Sequence, residues 1–219
     1  MNAPAGRRRR GRAPLPRTLA LAAGLLLAAA AGAPAQQMAR DATRYDDIFR
    51  KYSKRFFGPG FDWQYFKAQG MAESGLDPRA RSRVGARGIM QVMPGTYDLI
   101  RKARRERMGS IESPEWNIAA AILHERDLWL SLEDHPSAEE RARFMFGAYN
   151  AGEGAILRAK GLARAERLDE HAWSSIERVA PQVQRWRYTE TLPYVRRIEN
   201  NYAELRAQPT RANAARGRR

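Results

Sequence analysis

Between its turn signals this chain repeats apolar residues at intervals of three and four and nowhere alternates them. Helices are therefore the elements that can bury its core, and the expected fold class is all-α. Tyr45, Ile48, Phe49 and Tyr52 predict a first helix over residues 38–54, closed by a Gly/Pro break at 56–60. Asp62 is the expected N-cap of a second helix carrying Trp63, Phe66 and Gly70. Gly75 and Pro78 are its stop signals. Residues 75–88 lack periodicity and read as a loop, with Gly85 and Gly88 where the backbone turns tightly or approaches a ligand. A short apolar piece at 89–93 precedes a helix opening at Pro94 and reaching about Ala103. Ser113-Pro114-Glu115 is a strong helix start for Ile118, Ile122 and Trp129. Ser137 and Glu140 form a capping box ahead of Phe144 and Ala148, and Gly152 and Gly154 interrupt that pattern. Asp169 is placed to cap a helix bearing Trp173 and Ile176. Thr191 and Pro193 are read as opening a last one with Tyr194, Ile198, Tyr202 and Leu205.

In the second helix, one further step of three from Gly70 lands on Glu73, so its carboxyl group falls on the inward stripe at the final turn. Partial burial disfavours the charged form, and the negative end of the helix dipole acts the same way. Both raise the pKa, as suits a proton donor near neutral pH. A glutamate at a helix end reads equally as a solvated surface residue, and its neighbours have to decide.

Charge bounds the partners. Of the formal +15, six Arg and no acid lie in residues 1–35, leaving 33 basic against 24 acidic residues, or +9. That remainder favours an anionic partner. Residues 1–35 read as an export signal: a basic stretch with Arg7 to Arg10, Arg12 and Arg17, a 13-residue apolar run at 19–31, then Ala33-Pro34-Ala35. The run is short of the roughly 20 residues a membrane span needs. An uncleaved anchor is the alternative, and either way the domain over 36–206 crosses a membrane. Residues 207–219 are expected to form a basic disordered tail. Cysteine is absent, which excludes disulfides, a thiol nucleophile and a thiolate-held metal. His124, His135 and His171 are scattered and read as helical surface residues, so neither metal nor cofactor is expected.

Four motifs stand in one order: Glu73-Ser74; Ser82 with Gly85-Ala86, Gly88-Ile89-Met90-Gln91 and Met93-Pro94; Ala148-Tyr149-Asn150-Ala151-Gly152; and Glu190-Thr191 with Tyr194-Val195. Together they resemble the catalytic domain of the soluble-type lytic transglycosylases, glycoside hydrolase family 23. The style is closest to the membrane-bound lytic transglycosylase F type. The resemblance implies a lysozyme-like, goose-type helical domain with a substrate groove, and the export signal makes the periplasm its expected location. It also implies cleavage of peptidoglycan glycan strands at the β-1,4 bond between N-acetylmuramic acid and N-acetylglucosamine, leaving a 1,6-anhydromuramoyl end. Glu73 matches the single catalytic acid/base. Ser82, Gln91, Met93, Tyr149 and Glu190 match substrate-binding positions, Tyr149 being the tyrosine that hydrogen-bonds near the acid. Asn150 is expected to hold the backbone near Gly152, and Ser74 to bond locally at the helix end. Ile89 stands where Leu is commoner, a volume-conserving change. The segment 185–188 fits no motif, and Trp186 is read as packing rather than as a sugar platform.

Rival readings stay open at this point. A goose-type hydrolase would add water instead of closing the anhydro ring, and a non-catalytic peptidoglycan-binding domain would use the same groove. A nucleic-acid binder is permitted by charge but opposed by the export signal. Peripheral association with a membrane or a secretion apparatus is compatible with the sequence and not specified by it.

Overall fold

The computed structural model describes residues 43–104, 108–132, 135 and 137–207. The expected export signal, the expected first-helix start at Met38 and residues 208–219 of the tail lie outside them. The chain divides into two units, Met1–Arg44 and Tyr45–Arg219, and the second is the one described below.

Its first helix, α1 (Asp46–Phe57), buries Phe49 and Tyr52 and carries acids in its first turn and bases in its last, matching the helix dipole. Helix α2 (Gln64–Ser74) starts where the Asp62 carboxylate accepts the Gln64 N–H at 3.0 Å. Trp63 holds the N-cap position itself. The helix stops at Gly75, in the left-handed region at φ 64°. The Gly75 and Leu76 N–H groups then return to Met71 O (3.0 Å) and Gly70 O (3.3 Å). A loop follows, folded back by two isolated bridges, Arg81 to Arg87 and Arg87 to Val92. Among the described residues there is no strand.

Helix α3 (Pro94–Arg104) and helix α4 (Pro114–Ser131) begin on their prolines as expected. Helix α5 (Ala138–Ala151) is capped by Ser137 Oγ, which accepts the Glu140 N–H at 3.1 Å. The Glu140 carboxylate turns elsewhere, accepting the Trp173 N–H at 2.6 Å. Helix α6 (Glu153–Ala165) was hidden in the sequence behind Gly152 and Gly154. Gly152 sits at its N-cap with φ 82°, so the break between patterns is also a start. Helix α7 (Trp173–Val179) is preceded by Asp169, which takes the His171 N–H at 2.9 Å in a turn and is not the helix cap. Helix α8 (Tyr188–Ala207) corrects two expectations. It opens three residues before Thr191, and Pro193 lies inside it, where its missing N–H leaves one helical bond unmade. It also takes Ala207, the first residue assigned to the tail.

Helix α2 packs most extensively against α8, and α1 against α4. Phe49, Phe66, Ile118, Ile122 and Tyr194 on these helices, and Phe144 on α5, are fully buried. Each such side chain contributes on the order of 1.5–3 kcal/mol from apolar burial. Phe57, Phe61, Phe66 and Trp129 form an aromatic cluster with neighbouring ring centroids 4.3–5.9 Å apart. Trp186, in the unassigned 185–188 segment, is buried and donates its Nε1 proton to Thr191 Oγ1 at 3.0 Å. It packs, as read. No helix among the described residues is long and apolar enough to cross a membrane.

Candidate active site

The last turn of α2 delivers Glu73 to a half-buried position facing α8. There Tyr194 donates its hydroxyl proton to Glu73 Oε1 at 2.7 Å. Burial is the dominant influence on this carboxyl group and pushes its pKa from 4.5 up to about 7. The Tyr194 hydrogen bond and the Arg197 charge oppose the shift, and the Glu190 charge adds to it. One neutral donor does not repay the lost hydration of a carboxylate, so the acid form persists to neutral pH.

The loop after α2 is held mostly by its main chain. Ser74 Oγ donates to Ile89 O at 2.8 Å, so the serine ties α2 to the loop and is more than a local helix-end contact. Tyr149 donates to Met90 O at 2.9 Å. Asn117 of α4 accepts the Met90 N–H (2.8 Å) and donates to Arg87 O (2.8 Å) and Ile111 O (3.2 Å). A Cβ at Gly88, where φ is 73°, would lie 2.7 Å from the Asn117 amide. The close approach expected of this glycine is therefore to Asn117. Gln91 adopts φ 46°, and both its backbone N–H (3.1 Å) and its Nε2 (2.9 Å) return to Gly88 O.

The other residues singled out in the sequence fall as follows. Tyr149 does not bond to Glu73, but its enclosed hydroxyl senses the charge: burial first, then Glu73 and Glu125, push its phenol well above the ordinary range. Glu190 sits in the first turn of α8, half exposed and paired with Arg187 at 2.7 Å. Met93 leaves an apolar side chain 42% exposed at the start of α3. Ser82 lies in a turn, its Oγ accepting the Ala86 N–H at 3.0 Å. Asn150 does not brace Gly152; its Oδ1 accepts the Thr191 hydroxyl at 2.8 Å, joining the third motif to the fourth. Thus Tyr149 and Glu190 each come within electrostatic reach of Glu73. Gln91 and Met93 share the strap held by Tyr149 and Ser74.

Tyr194 and Asn117 were missed as site residues. Tyr194 fits the apolar spacing of α8, which reports burial and not what a hydroxyl touches. Asn117 is a polar residue inside an apolar run, the one signal that could have flagged it. The histidines also need correcting: all three are half-buried, and only His124 is helical. His124 lies 5.6 Å from the Tyr149 ring, and burial lowers its pKa. Among the described residues no group of three or more His, Asp or Glu could hold a metal ion.

Comparison with known proteins accounts for the arrangement. The sequence profile of the Transglycosylase SLT domain matches residues 49–171. Membrane-bound lytic murein transglycosylase F of Vibrio cholerae is 30% identical over 164 residues, covering 74% of this chain and 29% of that protein. The chain thus spans under a third of that relative's length. The fold matches the 70-kDa soluble lytic transglycosylase of Escherichia coli with a TM-score of 0.59 at 24% identity, over 75% of this chain and 25% of that one. A 70-kDa soluble lytic transglycosylase in complex with bulgecin A gives a TM-score of 0.61 at 26% identity, over 76% and 25% of the respective chains. The helices have the lysozyme-like architecture of those enzymes, and the chain belongs to the transglycosylase SLT domain family.

Proposed function

We propose that the protein is a peptidoglycan lytic transglycosylase in which Glu73 alone serves as acid and then base. It would cleave the β-1,4 bond between N-acetylmuramic acid and N-acetylglucosamine. The observation that carries the reading is the Glu73 carboxyl, held up to about 7 by burial with the Tyr194 hydroxyl at 2.7 Å. A protonated Glu73 gives its proton to the glycosidic oxygen as the bond breaks. The carboxylate left behind then takes the proton of the muramoyl C6 hydroxyl while that oxygen attacks C1, closing the 1,6-anhydro ring. Because the nucleophile belongs to the same sugar, its effective molarity is on the order of 10⁵ M or more. The second carboxylate with which other glycosidases activate water is then unnecessary. Tyr194 supports the carboxylate stage by keeping a donor on Oε1.

In this reading Gln91 presents its side-chain amide to an acetamido or hydroxyl group, and the exposed Met93 forms apolar floor for a sugar ring. Tyr149, Ser82 and Glu190 line the groove. Residues 1–35 act as the export signal, supported by their basic and apolar stretches, and place the enzyme in the periplasm against the cell wall.

The test is digestion of purified peptidoglycan by the full chain and by Glu73→Gln, with muropeptide masses as the readout. Anhydro products from the parent and none from the variant are expected. Products heavier by one water would turn the reading to a hydrolase, and undiminished release by Glu73→Gln would end it.

A further inference from the structure

Behind Glu73 lies a second carboxyl group for which the proposed reaction has no use. Glu125, on α4, is fully buried. Its Oε1 accepts a proton from Gln69 Nε2 of α2 at 2.5 Å. The other Nε2 proton of Gln69, itself fully buried, points to the Tyr194 hydroxyl oxygen at 3.1 Å. Tyr194 in turn donates to Glu73. The four side chains form one line from a sealed carboxyl group to the half-buried one.

The line is directional. An amide nitrogen only donates, so when it faces Tyr194 the phenol oxygen accepts, and its single proton is left for Glu73. Were the amide reversed, Gln69 Oε1 would compete for that proton. At its other end the amide nitrogen is held by Glu125 Oε1. Two buried atoms of this line have no hydrogen-bond partner among the described residues, Gln69 Oε1 and Glu125 Oε2. A protonated Glu125 has one O–H to give, and Gln69 Oε1 is an acceptor lacking a donor. An acid and an amide so paired satisfy each other, whereas a carboxylate would leave the amide oxygen orphaned.

We propose that Glu125 is a positioning residue for Glu73, a neutral acid that anchors the Gln69 amide beside Tyr194 and so leaves the Tyr194 proton for Glu73. This rests on Glu73 being the acid/base. Burial, with the Glu73 charge adding, raises the Glu125 pKa well above the ordinary range, in keeping with a neutral acid. The titratable groups facing the line are Glu73 on α2, Tyr149 on α5, and Glu190, Tyr194 and Arg197 on α8.

The experiment measures rates of anhydromuropeptide release against pH, at saturating and limiting glycan, for the full chain and four variants. Glu125→Gln keeps one donor and one acceptor toward Gln69. It should retain kcat within about twofold and leave the high-pH limb of the profile in place. Glu125→Leu frees the amide to reverse; kcat should fall about tenfold with KM within twofold. Its high-pH limb should move up, because Glu73 loses the donor that lowers its pKa. The double variant Gln69→Met with Glu125→Leu replaces a buried polar pair by apolar side chains, which commonly preserves folding. Its limb should move the same way by less, since Tyr194 then lacks its donor but faces no competitor. A parental kcat and profile in both folded Leu-containing variants would overturn the proposal. A Glu125→Gln profile shifted to lower pH, as loss of a negative charge requires, would overturn it too. Glu73→Gln separates the two readings: if it is inactive while the Leu-containing variants behave as the parent, only the role of Glu125 fails.

Discussion

Helices α2 and α8 lie side by side in opposite directions, and each end of the pair is closed by a carboxyl group treated differently. At one end Asp62 takes three donors: the Gln64 N–H at 3.0 Å, the Tyr202 hydroxyl at 2.9 Å and the Arg206 guanidinium at 3.0 Å. At the other end Glu73 takes a single neutral donor in a drier place. The same chemical group is thus a fastener where its lone pairs are filled and a proton carrier where they are not. Donor count and hydration, set by neighbours far away in sequence, decide which.

The comparison breaks most visibly at Glu73. Glu73→Gln should cost on the order of 10²–10⁴-fold in anhydromuropeptide release. It should also be more stable than the parent at high pH. The folded acid holds its proton up to about 7 against 4.5 when unfolded, so parent stability falls as pH rises through that window. At ~1.4 kcal/mol per pH unit the gap reaches about 3 kcal/mol above it. Urea midpoints at pH 4 and pH 8 for both proteins measure this, and parallel curves would contradict it. Asp62→Ala should show the reverse: about 2 kcal/mol of stability lost, with the rate per folded molecule unchanged. Tyr194→Phe sharpens the contrast by removing the only side-chain hydrogen bond to the Glu73 carboxyl among the described residues. The rate should drop about tenfold and its high-pH limb should move up, since the lost bond lowers the Glu73 pKa. The smallest effect is expected of Arg206→Ala. Its ion pair with Asp62 is 63% exposed on the arginine side, so the urea midpoint should move least of all the variants, and the difference should shrink in salt.

What could be read from residue order follows the same division. The end of α2 was legible because Gly75 and the stripe through Phe66 and Gly70 act over a few residues. The four motifs identified the family because their spacing carries information that no single residue does. Pro193 misled because proline signals a helix start only in the first turn, and nothing local says that α8 has already begun at Tyr188. Tyr194, Asn117, Gln69 and Glu125 escaped for a different reason. Each is a polar group whose partner lies on another element of the fold, a helix or, for Asn117, the loops, and periodicity reports which side faces inward without saying what it meets there.

The strap after α2 is gripped through Arg87 O, Ile89 O, Met90 O and the Met90 N–H, that is, through atoms every residue possesses. These polar anchors therefore hold whichever side chains stand at those three positions, while the buried Ile89 and Met90 add apolar packing that only side chains of similar size would keep. Isoleucine can stand there for leucine without loosening the frame. A library varying the outward residues of this segment could retune which glycans are accepted while the scaffold beneath stays the same.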